Sequence, residues 1–240
     1  RFHPSDFKTK KIDKIGSNWL FNYYDLEKYY NLNDKMVGVS GVSGDPAYPE
    51  INNLLPPLDI GYSGGLIAKA FNKLGWHWWP SYAAVKKSKK LKKGIRPTAV
   101  EIYLNKAEKN GVIIKPNSRV LKIKLSKNKI ATGVIYSNKK NEKKFLKASL
   151  ILLASNGIGT PRILLNSKNK DFPNGLANNS GQLGKNLMLH PLGFVEGQFD
   201  KFLASNEGPE GCSIYSHEFY ETKKKRNFKR GYTLQLLKSP

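Results

Sequence analysis

An apolar run, Ile151-Leu152-Leu153-Ala154, stops at the small-residue turn Ser155-Asn156-Gly157, and Thr160-Pro161 then introduces Arg162-Ile163-Leu164-Leu165. A short apolar run bounded by turn residues reads as a buried strand of the parallel kind. Thr160 is placed to accept a backbone N–H as N-cap. Pro161 suits the first helical position, where its missing donor would be unpaired anyway. The stretch therefore predicts strand, tight turn and helix N-terminus, the corner at which α/β folds hold phosphates and dinucleotides. The corner alone does not specify a ligand. Gly157-Ile158-Gly159 begins like a dinucleotide fingerprint, but Arg162 stands at the third glycine and no strand ending in Asp or Glu follows about twenty residues on. A self-sufficient Rossmann fingerprint is excluded.

Periodicity organises the rest. Short helices are expected over 24–30, over 64–74 (Leu66, Ile67, Ala70, Phe71 and Leu74 on one face) and over 99–110, closed by Asn110-Gly111. Gly38 to Pro57 is rich in Gly, Pro and Asn and reads as an irregular excursion. Strands are expected at 112–115, 119–125, 130–136 and 143–147, with Lys127-Asn128-Lys129 turning a hairpin. After Pro191, the stretches 192–199, 211–220 and 232–237 read as longer strands of a second, antiparallel sheet. Trp76-His77-Trp78-Trp79-Pro80 suits either the wall of a substrate cavity or a clamp fastening a loop to the core.

Ser149 to Ser167, followed by Gly184-Lys185-Asn186-Leu187-Met188-Leu189-His190, resembles the middle of the glucose–methanol–choline (GMC) flavoenzyme family. The likeness runs in order along the chain: Trp19 to Tyr30 with its Trp, Tyr and Leu spacing, Gly94-Ile95-Arg96-Pro97-Thr98-Ala99, and Val120 to Ala131 with Gly133-Val134. The departures, Lys168-Asn169 and Met188-Leu189, resemble a bacterial branch of the family and leave the substrate open. The resemblance implies an α/β fold (α+β overall): part of a flavin-type dinucleotide-binding domain with an antiparallel meander, then the start of an antiparallel substrate-domain sheet. Residues 1–93 would be a helical and irregular region between the FAD and substrate parts, 94–190 the returning half of the FAD domain, and 191–240 the start of the substrate domain. It implies FAD as cofactor, with Val120 presenting main chain to the adenine and Ala154, Ser155 and Asn156 closing on the flavin. It also implies a small alcohol or sugar-like substrate and a separate electron acceptor. The flavin glycine loop is expected before Arg1 and the catalytic histidine segment after Pro240, so the chain reads as an internal fragment without a catalytic residue of its own. His190 is expected to anchor the domain crossover.

Composition sets bounds. The net charge of +23 comes from 41 Lys and Arg against 18 Asp and Glu, which suggests nucleic acid or an anionic surface. Lysine supplies most of it and is scattered through every segment, whereas bidentate recognition favours arginine. Lys86 to Lys93 is the one dense run and reads as a solvated loop. His3, His77, His190 and His217 lie at no metal-ligand spacing, so no metal site is expected. His217 sits on an expected strand of the second sheet. Asp25 with Glu27, and Glu218 with Glu221, read as surface charges. Cys212 has no intrachain partner. No apolar run approaches the roughly 20 residues of a membrane helix, and localisation is left undetermined. Two alternatives stand beside alcohol oxidation: another flavoprotein of the same fold, and a basic non-enzymatic module on nucleic acid or a membrane surface.

Overall fold

The computed structural model describes residues 1–88, 94–205 and 211–238. In chain order, a 3₁₀ turn (Pro4–Lys8) runs into α1 (Thr9–Asp13), followed by α2 (Tyr23–Val37), α3 (Gly61–Leu74) and the two-residue β1 (Trp79–Pro80). A π-helical turn (Val100–Leu104) then leads into α4 (Asn105–Lys109). A meander of β2 (Arg119–Leu125), β3 (Ala131–Ser137) and β4 (Lys143–Lys147) precedes α5 (Asn156–Asn166), β5 (Gly211–Ser216) and β6 (Leu234–Lys238). The chain divides into two compact units, 1–111 with 197–240, and 112–196.

In the first unit the helices begin where side chains can take over orphan donors. Asn22 Oδ1 accepts the Tyr24 N–H while the Asp25 carboxylate accepts the Asn22 N–H, a reciprocal cap. From there α2 continues past the expected end at Tyr30 until Gly38, at φ 78°, closes it with an N–H to the Asp34 carbonyl. The aromatic spacing fades after Tyr30, but nothing in Asn31 to Val37 breaks a helix. Asp59 Oδ1 accepts the Gly61 N–H and starts α3 three residues before the expected position. Thr98 and Glu101 cap the helix expected from Ala99. β5 lies between β1 and β6, antiparallel to both, with Trp79 opposite Tyr215 and Tyr215 opposite Gln235. The excursion 38–57 is irregular, as expected, and is tied down by bridges from Ser40 to Leu55 and Ala83. Residues 192–199 form no strand and are exposed. Of the Lys86–Lys93 run, residues 89–93 lie outside the described residues.

The second unit is built on the meander, whose three strands match the expected ones within a residue. β3 is central, with Arg119 opposite Ser137 and Gly133 opposite Lys147. At Gly133 a Cβ would strike the Leu146 carbonyl and the Phe145 ring, so only glycine fits. α5 lies on β2, fastened by Ser167, whose Oγ accepts the Ile123 N–H at 2.8 Å and donates to the Ile163 carbonyl at 2.6 Å. Ile123, Ile163 and Leu176 make the buried centre, with Val120, Ile151 and Leu153 packed against it.

Three expectations for this unit are corrected. Residues 112–115 form no strand, and Ile113 stands exposed. Residues 151–154 carry no regular secondary structure and have no ladder partner among the described residues. Ile151 and Leu153 face the core while Leu152, at 85% exposure, faces away, so the run is covered on one side only. Finally, α5 begins at Asn156, not at Pro161, which lies inside it. The Asn156 side chain accepts the N–H groups of Ile158 and Gly159, and so caps the helix that Thr160 was expected to cap.

Candidate functional site

Two constellations carry the chemistry, one in each unit. The first is the corner at the start of α5. Ala154 is exposed and Ser155 half-buried, its N–H donating to Thr160 Oγ1 at 3.2 Å. Asn156 adopts a left-handed φ of 60°, which its side chain stabilises through the two bonds described above. With those donors engaged, the helix end is poorly furnished to grip a pyrophosphate. It suits instead the close approach of a flat ring past small side chains. Val120 lies on β2, opposite Tyr136. β2 is an edge strand, so alternate N–H and C=O groups along it face away from β3; of these the Ile123 N–H is taken by Ser167 Oγ. The small, partly exposed side chains of Ala154 and Ser155 leave room for a flavin ring. His190 is exposed in a stretch without regular structure.

The second constellation lies in the first unit, and sequence spacing did not reveal it. Asp45 comes from the irregular excursion, His77 from the residues before β1, Tyr215 from β5 and His217 from just beyond it. The Asp45 side chain is fully buried. It receives His77 Nε2 at 2.9 Å, the Tyr215 hydroxyl at 2.6 Å and the Ala47 N–H at 2.8 Å. Burial alone would raise its pKa, yet these hydrogen bonds hold the carboxyl below its ordinary range. The His217 N–H donates to His77 Nδ1 at 3.0 Å. His3 stacks 4.3 Å from Tyr220 and lies 4.7 Å from His217, centroid to centroid.

Ligating atoms of Asp45, His77 and His217 lie within 4.8 Å of one another, a grouping a metal could exploit. The hydrogen bonds argue against it. Because Nδ1 of His77 accepts a backbone N–H, the neutral ring carries its proton on Nε2, aimed at Asp45, and has no lone pair there for a cation. The cluster is better described as a hydrogen-bonded polar core. His217 Nδ1 and His3 Nε2 are buried without a hydrogen-bond partner among the described residues. Burial, then the neighbouring His3, pushes the His217 pKa down to about 4, and burial lowers His3 as well. Burial raises the Tyr48, Tyr215 and Tyr220 hydroxyls, so each remains a donor.

The tryptophans resolve as a clamp. Trp76 packs edge-on to Phe219 at 4.8 Å, Trp78 Nε1 donates to Asn72 Oδ1, and Trp79 Nε1 donates to the Val42 carbonyl. Cys212 is half-buried with its thiol pushed up to about 11 by burial, which makes it unreactive. Glu218 is engaged by Lys223 and Arg226. No helix among the described residues is long and apolar enough to cross a membrane.

With this geometry in view, residues 59–192 match the family profile described as GMC oxidoreductase. The whole chain aligns with the 2-methyl-1,2-propanediol dehydrogenase of Mycolicibacterium austroafricanum at 33% identity, covering 47% of that protein. Over 80% of its length it aligns with the fructose dehydrogenase large subunit of Gluconobacter japonicus at 29% identity, covering 38% of that protein. The chain thus spans less than half the length of either relative.

Proposed function

Since the chain belongs to the GMC oxidoreductase family, we propose that it is part of an FAD-dependent dehydrogenase that oxidises an alcohol at a CH–OH carbon. The observation that carries this reading is the colinear likeness to two dehydrogenases whose names specify a diol and a sugar. Bound flavin would supply the hydride acceptor, while the hydroxyl proton would pass to a protein base. The chain's own residues hold and orient. Val120 would offer main chain to the adenine, and Ala154, Ser155 and Asn156 would admit the flavin past small side chains. In this reading 94–190 is the returning half of the FAD domain, 191–240 begins the substrate domain, and 1–93 connects the FAD and substrate parts. The substrate would be a small polyol or sugar-like alcohol, and electrons would pass to a separate acceptor.

Ala154→Leu tests the reading in the holoenzyme. A branched side chain at the approach is expected to weaken FAD retention about tenfold to a hundredfold, from roughly 1–3 kcal/mol of overpacking. Flavin absorbance per protein, and its bleaching by 2-methyl-1,2-propanediol or fructose, are the measurements. Undiminished flavin content in this variant would remove Ala154 from the cofactor contact. Failure of any alcohol to bleach the bound flavin would remove alcohol oxidation.

A further inference from the structure

One surface of the first unit serves neither constellation. The segment Lys8-Thr9-Lys10-Lys11-Ile12-Asp13-Lys14-Ile15 forms the turn around α1, and the loop Gly16 to Asn22 folds back on it. The two are bonded into one lobe. The Trp19 N–H donates to the Phe7 carbonyl at 3.0 Å, Thr9 Oγ1 donates to the Ser17 carbonyl at 3.0 Å, and the Lys11 N–H donates to Asn18 Oδ1 at 3.1 Å.

At the tip of the lobe Leu20 is completely exposed, and Trp19 beside it is 62% exposed. Phe21, Ile12 and Ile15 are also exposed. The wedge is braced from behind: Trp19 lies 5.5 Å from Phe21, and Phe21 lies 5.8 Å from Phe7. Lys8, Lys10, Lys11 and Lys14 are all exposed on the same lobe. Its single acid, Asp13, is fully buried and bound by Arg230 at 2.6 Å and Thr222 at 2.5 Å. The lobe therefore presents only cations to solvent. The same contacts bring the 222–230 loop alongside, with Lys224, Lys225 and Lys229 exposed and Lys223 engaged by Glu218. The nearby Asp6 and Glu221 carboxylates are taken up by Arg230 and by the hydroxyls of Tyr220 and Ser5.

We propose that the Lys8–Phe21 lobe is a peripheral attachment surface for an anionic lipid bilayer, with Leu20, Trp19 and Phe21 entering the headgroup boundary and the lysines meeting the lipid phosphates. An apolar tip with a basic rim is the pattern of interfacial binding, in which buried apolar area and attraction to anionic lipid add. Two observations favour lipid over an acidic protein partner. The lobe carries four exposed lysines and no arginine, whereas protein interfaces enrich arginine and deplete lysine. The most exposed apolar residue of the lobe is a fully exposed leucine, Leu20, which a fluid boundary accepts without a matching pocket. The proposal is independent of the flavin reading.

Co-sedimentation of the full chain with phosphatidylcholine vesicles, with and without phosphatidylglycerol, tests it at about 0.15 M salt. Binding is expected only to the anionic vesicles. Leu20→Asp and the pair Lys10→Glu with Lys11→Glu should each weaken it by about tenfold or more. Lys139→Glu with Lys140→Glu makes the same charge change on the turn before β4, in the other unit, and should leave binding within about twofold. All of these positions are exposed, so unchanged far-ultraviolet dichroism is expected. Absence of vesicle binding, indifference to Leu20→Asp, or equal loss in the Lys139/Lys140 variant would overturn the proposal. So would binding to polyglutamate in place of vesicles, which would point to an acidic protein partner.

Discussion

The two units of this chain are held by different physics. The second is a small aliphatic core in which Ile123, Ile163 and Leu176 close between a meander and one helix. The first buries His3, Asp13, Ser40, Asp45 and Ser216 among Tyr23, Ile214 and Tyr215. An aliphatic core responds to volume and is indifferent to protons. A core of hydrogen-bonded polar groups responds to chemistry, because each partner removed leaves another dry and unpaired.

The sharpest way to break this contrast is Asp45→Ala. It leaves the buried Tyr215 hydroxyl and the His77 Nε2–H without their acceptor, and a loss of about 1–3 kcal/mol for each stranded donor is expected. Urea unfolding followed by tryptophan fluorescence reports on this unit, since all four tryptophans lie in it. A loss below about 1 kcal/mol would mean that the polar network is ornamental. Ile163→Ala is the matching test in the second unit. Truncating a buried isoleucine should cost about 2–4 kcal/mol, with the same loss at pH 7 and pH 5 by amide exchange in residues 119–147.

The pH dependence itself comes next. The His217 ring stays neutral in the fold down to about pH 4 but titrates near 6.5 when unfolded. Between those values the unfolded chain holds more protons, so stability falls as pH drops from 6.5 to 4 and levels off below. The ring is partly solvated, so about 2 kcal/mol is expected, less than the full shift would give. His3 shifts in the same direction. His217→Phe should flatten the profile in that window, and an unchanged slope would assign the effect elsewhere. The smallest effect belongs to Ala154→Leu, at an exposed position. Its change in unfolding free energy should stay within about 0.5 kcal/mol while flavin retention drops, which separates a cofactor contact from a packing role.

How far the sequence could be read follows the same division. The meander was legible almost to the residue, because alternation along 119–125 and the turn at Lys127-Asn128-Lys129 are local properties; the need for a bare Cα at Gly133, set by Leu146 and Phe145 on the neighbouring strand, was not. Helix ends were less so. Asn156 outcompeted Thr160 as cap, and α2 ran on to the first glycine that could close it. The apolar run 151–154 showed its composition but not its pairing, since a ladder needs a neighbour that periodicity cannot supply. The polar core of the first unit left almost no trace. Asp45, His77 and His217 are separated by 32 and 140 residues, and only the fold brings them together.

That separation also bears on the order of events during synthesis. The second unit is a continuous stretch, 112–196, inserted within the first, whose parts are 1–111 and 197–240. Contacts within the second unit close over short loops, whereas Arg230 must return to Asp13, 217 residues away. Loop closure rises slowly in free energy with length but weighs heavily on rate. A chain emerging from the ribosome should complete the meander and α5 first. Through that interval Asp13 waits for its guanidinium partner and Asp45 for Tyr215, and a chaperone that shields residues 1–111 would act on a half whose closing strands are still to be made.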